Sequence, residues 1–204
     1  MGYVYLEPPK KYILTSEEII DHLRKKVKVS DADAALFLKY AGEPQYFKKN
    51  EYLVKEHDEQ IYFYLINEGC LMSYFLDNDN NKHVMQFGRE MWWTGDLEAF
   101  FKGEPNQYNI KAMVASKVYC FSYENLEQLL LEAPCFERYF RILFQNALVS
   151  GQKRIIRNIA NTAEERYIAF KETFPKLELI VPQKYIASFL GITPEFLSKI
   201  RKRI

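Results

Sequence analysis

The stretch Gln183–Ile204, QKYIASFLGITPEFLSKIRKRI, decides how the rest of the chain is read. Two short helical patterns meet at Gly191. Ile186 and Leu190 lie four residues apart on one face of the first helix, and Leu197 and Ile200 three apart on one face of the second. Helices that cross steeply at a short turn need a small residue where they touch, and Ala187 supplies it. Gly191 follows the first helix, where a positive φ is least costly. Thr193-Pro194-Glu195 then restarts a helix, with Thr193 as N-cap, Pro194 at the first helical position and Glu195 in the first turn. These constraints agree on a helix-turn-helix whose second helix suits a DNA major groove. Lys199, Arg201, Lys202 and Arg203, opposed in that segment only by Glu195, make its end basic.

At 204 residues and 48% hydrophobic content, the chain can bury one large core or two small ones. Its net charge is only +1, so a nucleic-acid site must arise from local clustering of charge. Cys70, Cys120 and Cys135 are scattered, with no CxxC, which fits a reducing cytosol and excludes a disulfide frame or a zinc site. His22, His57 and His83 lie far apart, with neither HxH nor HExxH spacing. No GxSxG, P-loop or GxGxxG is present, so neither catalytic residues nor a cofactor is assigned. No apolar run has the length of a membrane span and no secretory signal opens the chain, so a cytoplasmic protein without a membrane partner is expected.

In order, Met1–Lys11 reads as extended. Thr15 with Glu18 forms a capping box opening a helix through about Val27, and Ser30 caps a second with Ala34, Leu36, Phe37 and Tyr40 as its apolar face. The lysines at 25, 26 and 28 read as a solvated face. From Tyr46 to Tyr123, the runs YFYLI, CLMSYFL, HVMQFG, IKAMVA and KVYCF alternate with polar breaks, the texture of an all-β sandwich or barrel. Glu68-Gly69 and Asp77–Asn81 read as hairpin connections. Asp77, Asp79 and Asn81 alternate as in a calcium loop, but Lys82 and Gly88 stand where that loop needs Gly and Glu. Tyr123–Leu130 is a short amphipathic helix ending before Pro134.

Cys135 to about Ala160 is a long helix with two apolar stripes. Phe136, Phe140, Leu143, Ala147 and Ser150 form one, and Phe144, Leu148, Ile155 and Ile159 the other. One stripe can cover the β-domain while the other faces a second copy. Phe136, Phe140, Leu143, Phe144 and Ala147 are the dimerisation candidates. Thr162 with Glu165 opens a further helix. Pro175 and Pro182 bracket KLELIV, read as one strand or an extended link. No wing follows the second helix of the motif before Ile204.

The order β-barrel, long helix, helix-turn-helix resembles the Crp/Fnr transcription regulators over nearly the whole chain. The specific pieces are Phe47–Leu53 (FKKNEYL), Tyr64–Gly69 (YLINEG), Ala163–Tyr167 (AEERY) and Tyr185–Glu195 (YIASFLGITPE). The resemblance implies an α+β protein. Residues 1–134 would be a double-stranded β-helix (jelly-roll) sensor with N-terminal helices, 135–160 the dimerisation helix, and 161–204 a winged-helix-like helix-turn-helix domain. It implies a homodimer bound to double-stranded DNA at a two-fold site, with RNA polymerase as a further partner. The alternative within this fold is a dimeric small-molecule sensor or scaffold that no longer binds DNA.

Cyclic-nucleotide binders of this family hold the ring phosphate with an Arg-Ser pair and the ribose with a Glu after Gly. Here Asn106 and Gln107 stand in the Arg-Ser positions and Gly95-Asp96 in those of Gly-Glu. Neutral amides lack the charge-assisted grip that a phosphate favours, and Tyr108 would crowd the site. No bound cAMP is therefore expected. Trp93, Gly95, Asp96, Asn106, Gln107 and Tyr108 are the effector-pocket candidates, the aromatic ones having plain packing as a rival role. The clustered N-terminal cysteines of the oxygen-sensing branch are absent. On the second helix of the motif, Glu195, Ser198, Lys199 and Lys202 share a face. The resemblance carries base reading onto Glu195 and Lys199. Pro194 departs from relatives with an arginine there. Gln183, Lys184, Thr193 and Arg201 are the phosphate candidates.

Overall fold

The computed structural model describes residues 15–204; the extended segment expected for Met1–Lys11 lies outside them. Helix α1 (Ser16–Arg24) and helix α2 (Asp31–Ala41) both begin at capping boxes. Thr15 Oγ1 accepts from the Glu18 amide at 3.2 Å, while the Thr15 amide donates back to the Glu18 carboxylate at 2.8 Å. Ser30 and Asp33 repeat the exchange. Each box satisfies two amides that the first turn would leave bare.

Eight strands follow among the described residues: β1 (Gln45–Phe47), β2 (Tyr52–Val54), β3 (Phe63–Glu68), β4 (Leu71–Leu76), β5 (Lys82–Gly88), β6 (Trp93–Thr94), β7 (Asn109–Ala112) and β8 (Ser116–Phe121). They form two antiparallel sheets, ordered β1-β8-β3-β6 and β2-β7-β4-β5. Val54, Tyr64, Ile66, Leu71, Ile110 and Val118, drawn from both sheets, meet in the core between them. The result is the expected jelly roll.

Strand β3 is apolar on both faces because both are covered. Tyr64 and Ile66 enter the space between the sheets, while Phe63 and Leu65 point the other way into a core shared with Leu23, Phe37 and Phe136. The hairpin from β3 to β4 turns at Gly69, whose φ is +103°. A Cβ there would lie 2.2 Å from Ser116 Oγ and 2.9 Å from the Ala115 carbonyl. Gly69→Ala therefore combines strain with a clash and should destabilise the protein by about 1–3 kcal/mol in urea unfolding.

The Asp77–Asn81 turn is held by its own acid. Asp77 Oδ1 accepts from the amides of Asp79 at 2.9 Å and Asn81 at 2.8 Å, and Oδ2 lies 2.7 Å from His83 Nε2. His83 first, then these amides, hold the Asp77 carboxyl well below the usual carboxylate range.

Helix α3 (Leu97–Lys102), which the strand-like texture of this region concealed, lies between β6 and β7 with Asp96 as its N-cap. Helix α4 (Tyr123–Glu132) leads into α5 (Cys135–Ala160). Phe136 and Phe140 of α5 are buried in their own chain's core, with Leu143 and Phe144 packed beside them. This corrects the dimerisation set: Phe136 and Phe140 face the jelly roll, because the first stripe is the one that covers it. Beyond Phe144 the second stripe points outward, with Leu148, Ile155 and Ile159 exposed.

Helices α6 (Ala163–Thr173), α7 (Gln183–Leu190) and α8 (Pro194–Arg203) form a C-terminal head. KLELIV is not a strand. Lys176 adopts φ +67°, and Leu177–Leu179 make a 3-10 turn that buries Leu177 and Val181 while leaving Leu179 outside. Among the described residues the head is all-helical.

The head packs on the outer face of the β2-β7-β4-β5 sheet. Met72, Tyr74, Val84 and Phe87 share one core with Phe170, Phe174, Ile186 and Leu197. Ser188 on α7 stitches the edge strand β5: its hydroxyl accepts from the Val84 amide at 3.0 Å and donates to the Lys82 carbonyl at 2.7 Å. An edge strand otherwise presents unpaired backbone groups, so this contact also protects it.

Candidate nucleic-acid interface and effector cavity

The turn between α7 and α8 is built as the residue chemistry demands. Gly191 ends α7 at φ 68° and ψ 37°, and the Ile192 amide returns to the Ala187 carbonyl at 3.0 Å. Thr193 Oγ1 accepts from the Phe196 amide at 3.2 Å, and Pro194 occupies the first turn of α8. Ile186, Ala187, Leu190, Leu197 and Ile200 are all buried at the crossing. The opposite side of α8 is therefore free, with Thr193, Pro194, Glu195, Lys199 and Lys202 exposed and Ser198 half-buried.

Gln183 and Lys184 are exposed in the first turn of α7, which has Pro182 at its N-cap and no side chain capping it. Its leading amides are left for solvent or an anion. Lys184, Lys199 and Lys202 have no carboxylate partner among the described residues, whereas Arg201 lies 3.6 Å from Glu178 and Arg203 3.1 Å from Glu164. The basic terminus is thus opposed by more than Glu195. Tertiary folding brings two acids from α6 and the 3-10 turn against it, and Arg201 points to Glu178 instead of outward. Phe196, 44% exposed beside this face, was not among the expected contacts. Its place on the helical wheel, about 60° from Lys199, was the signal available for it.

The effector candidates do not converge on a cavity. Asp96 Oδ1 accepts from the Ala99 amide at 3.2 Å and Oδ2 from the Gln107 amide at 2.8 Å. Asn106 is buried and donates through Nδ2 to the carbonyls of Asp58 at 2.9 Å and Gln60 at 3.3 Å. Gln107 is exposed with its amide side chain 3.4 Å from Glu98. Burial, then Asp96 and Glu98, raise the pKa of half-buried Tyr108. Gly95 is pressed against β3, where a Cβ would lie 3.0 Å from the Tyr62 carbonyl. These groups spend their hydrogen bonds within the protein, and Glu98 beside them is paired with Lys102 at 2.5 Å.

Only Trp93 of that set borders a cavity, one of about 510 Å³ enclosed by β5, the inner face of α5 and helices α6 and α7. Trp93 stacks on Phe63 at 4.8 Å between ring centres and donates through Nε1 to the Tyr139 hydroxyl at 2.9 Å. Burial pushes the thiols of Cys70 and Cys120 up to about 12 and that of Cys135 up to about 11. Among the described residues, no helix is long and apolar enough to cross a membrane.

Residues 44–133 match the Cyclic nucleotide-binding domain family. The Fumarate and nitrate reduction regulatory protein of Vibrio cholerae is 25% identical over 169 residues, covering 76% of this chain and 66% of that protein. The chain thus spans just under two thirds of the length of that relative. The structure of FixK2 from Bradyrhizobium japonicum superposes with a TM-score of 0.68 at 18% identity, over 78% of this chain and 82% of that one. A transcriptional regulator of the Crp/Fnr family from Eubacterium rectale gives 0.66 at 14% identity, over 86% and 83%.

In fold the chain resembles the Crp/Fnr regulators, and its residues 44–133 match the cyclic nucleotide-binding domain.

The stretch Gly95–Tyr108 lies within the matched residues, whereas the cavity at the head is lined by β5, α5, α6 and α7 with His22 and Lys26.

Proposed function

We propose that the chain is a homodimeric, sequence-specific DNA-binding transcription regulator that responds to an effector other than cAMP. Residues 1–134, 135–160 and 161–204 would be its sensor, dimer helix and DNA-binding parts. The observation that carries this reading is the free face of α8. Glu195, Ser198, Lys199 and Lys202 stand together on the side away from the buried Leu197 and Ile200. Glu195 can accept from cytosine N4 and Lys199 can donate to guanine O6 and N7. Phe196 is placed to touch a thymine methyl. The uncapped start of α7, with Gln183 and Lys184, suits a phosphate, and Thr193 and Lys202 suit its neighbours.

Selection of bound sequences from a random duplex pool tests this. A two-fold consensus with half-sites about one helical turn apart is expected. Affinity should fall steeply with salt as phosphate-bound counterions are released. The pairing of Arg201 and Arg203 with acids supports a second reading, a dimeric sensor or scaffold that does not bind DNA. A flat salt dependence with no enriched sequence would favour it.

The absence of cAMP binding is supported by the filled hydrogen-bond set of Asp96, Asn106 and Gln107 and by the carboxylates of Asp96 and Glu98 where a phosphate would sit. A phosphate brought there would meet the Asp96 carboxylate and the Glu98–Lys102 pair, with no arginine in the Gly95–Tyr108 segment. Titration calorimetry with cAMP should give no saturable heat; micromolar affinity would overturn the assignment. In cells, a cytoplasmic location and contact with RNA polymerase would accompany the regulator reading.

A further inference from the structure

The cavity between α5, β5 and the head has a lining with a chemical bias that packing alone does not require. His22, Lys26, Arg154, Arg157 and Arg166 all border it, and among the described residues no aspartate or glutamate does. Its apolar wall is aromatic, with Trp92, Trp93 and Phe189 among the contributors.

Arg154 is the telling member. Its guanidinium donates to the carbonyls of Met85 and, at 3.3 Å, Val84, and lies 4.5 Å from the centre of the Phe189 ring. It has no carboxylate partner among the described residues. Burial lowers its pKa, the mark of a cation removed from water without a counter-charge. A desolvated cation in such a place is costly unless an anion joins it. Arg166 is engaged by the carbonyls of Leu190 at 3.2 Å and Asn161 at 2.8 Å, which leaves Arg157 and Lys26 as the uncommitted cations.

We propose that this cavity binds an aromatic organic monoanion, with its ring system against Trp92, Trp93 and Phe189 and its carboxylate or sulfonate toward Arg154 and Arg157. The volume of about 510 Å³ suits a ligand of two or three rings. The site is distinct from the Gly95–Tyr108 segment. It names the effector class for the regulator reading, and rests on that reading only for its consequence. Since the ligand would touch β5, α5, α6 and α7 together, its binding and the placement of the head are thermodynamically linked.

The experiment uses the full chain and two probes that share one chromophore, anilinonaphthalene sulfonate and its neutral counterpart phenylnaphthylamine. The protein has two tryptophans, and both border the cavity, so energy transfer from tryptophan to the probe reports occupancy there. We expect saturable transfer at one sulfonate per chain and at least about tenfold weaker binding of the neutral probe. Arg157→Gln should weaken the sulfonate about tenfold, and Ser150→Phe, which puts a ring on the cavity lining, should abolish saturable transfer. Equal affinity for the two probes, or binding indifferent to both variants while each stays folded by circular dichroism, overturns the proposal. Binding of duplex DNA is measured in parallel. A chain that takes the sulfonate but no DNA keeps this site and refutes the regulator reading, and the reverse result refutes this site alone.

Discussion

Replacing Ile155 and Ile159 together by glutamate is expected to leave the protein monomeric and to weaken binding to a two-fold operator by about a hundred- to ten-thousand-fold. The reason lies in the geometry of α5. At about 100° per residue, Leu148, Ile155 and Ile159 fall within roughly 40° of arc, beyond the end of the helix that Phe136, Phe140 and Phe144 pack onto the jelly roll. Leu148 is 66% exposed, Ile155 61% and Ile159 81%, an apolar strip that a soluble helix leaves uncovered only at a cost. A second copy of the same helix would bury it, and two like charges placed on that strip would face their own images in the partner. Sedimentation equilibrium measures the association and gel-shift titration the DNA affinity. A double variant that remains dimeric would put the seam elsewhere. Neither residue supports the monomer fold, so circular dichroism should be unchanged.

The second large effect is expected at Lys199. Lys199→Ala should cost about 1–3 kcal/mol on the selected operator and much less on random duplex DNA, because a base contact is lost and a phosphate contact is not. Lys202→Ala is the comparison: it should weaken both DNAs alike and reduce the salt slope by about one. Lys199 is exposed, lacks an acidic partner and sits one turn after Glu195, so its loss leaves the buried Leu197 and Ile200 untouched. Equal losses on both DNAs would make Lys199 a phosphate anchor.

The turn at Gly191 was legible from local chemistry because each requirement sits within a few residues. Thr193 caps its own helix, Gly191 supplies its own positive φ, and Ala187 is small where the helices cross. The capping boxes at Thr15, Ser30 and Thr162 follow the same rule. Short strands such as β6 were harder, since Trp93-Thr94 gains its identity only by pairing with Leu65 and Tyr64. Helix α3 was missed because six residues carry too little periodicity to declare a helix. The effector candidates followed an alignment of motif positions, and the hydrogen bonds by which Asp96 holds the Gln107 amide and Asn106 the carbonyls of Asp58 and Gln60 are invisible at that level.

The sequence by itself determined the helix caps, the helix-turn-helix, the alternation that makes a jelly roll and the two apolar stripes of α5, all of which depend on neighbours close along the chain. Tertiary structure alone decided which stripe faces outward, that Arg201 and Arg203 meet Glu178 and Glu164, and that β5 carries the head through Ser188. It also gathered His22, Lys26, Arg154, Arg157 and Arg166 around one cavity. Those pairings join residues far apart in sequence, and their energies depend on burial and distance, which no local pattern encodes.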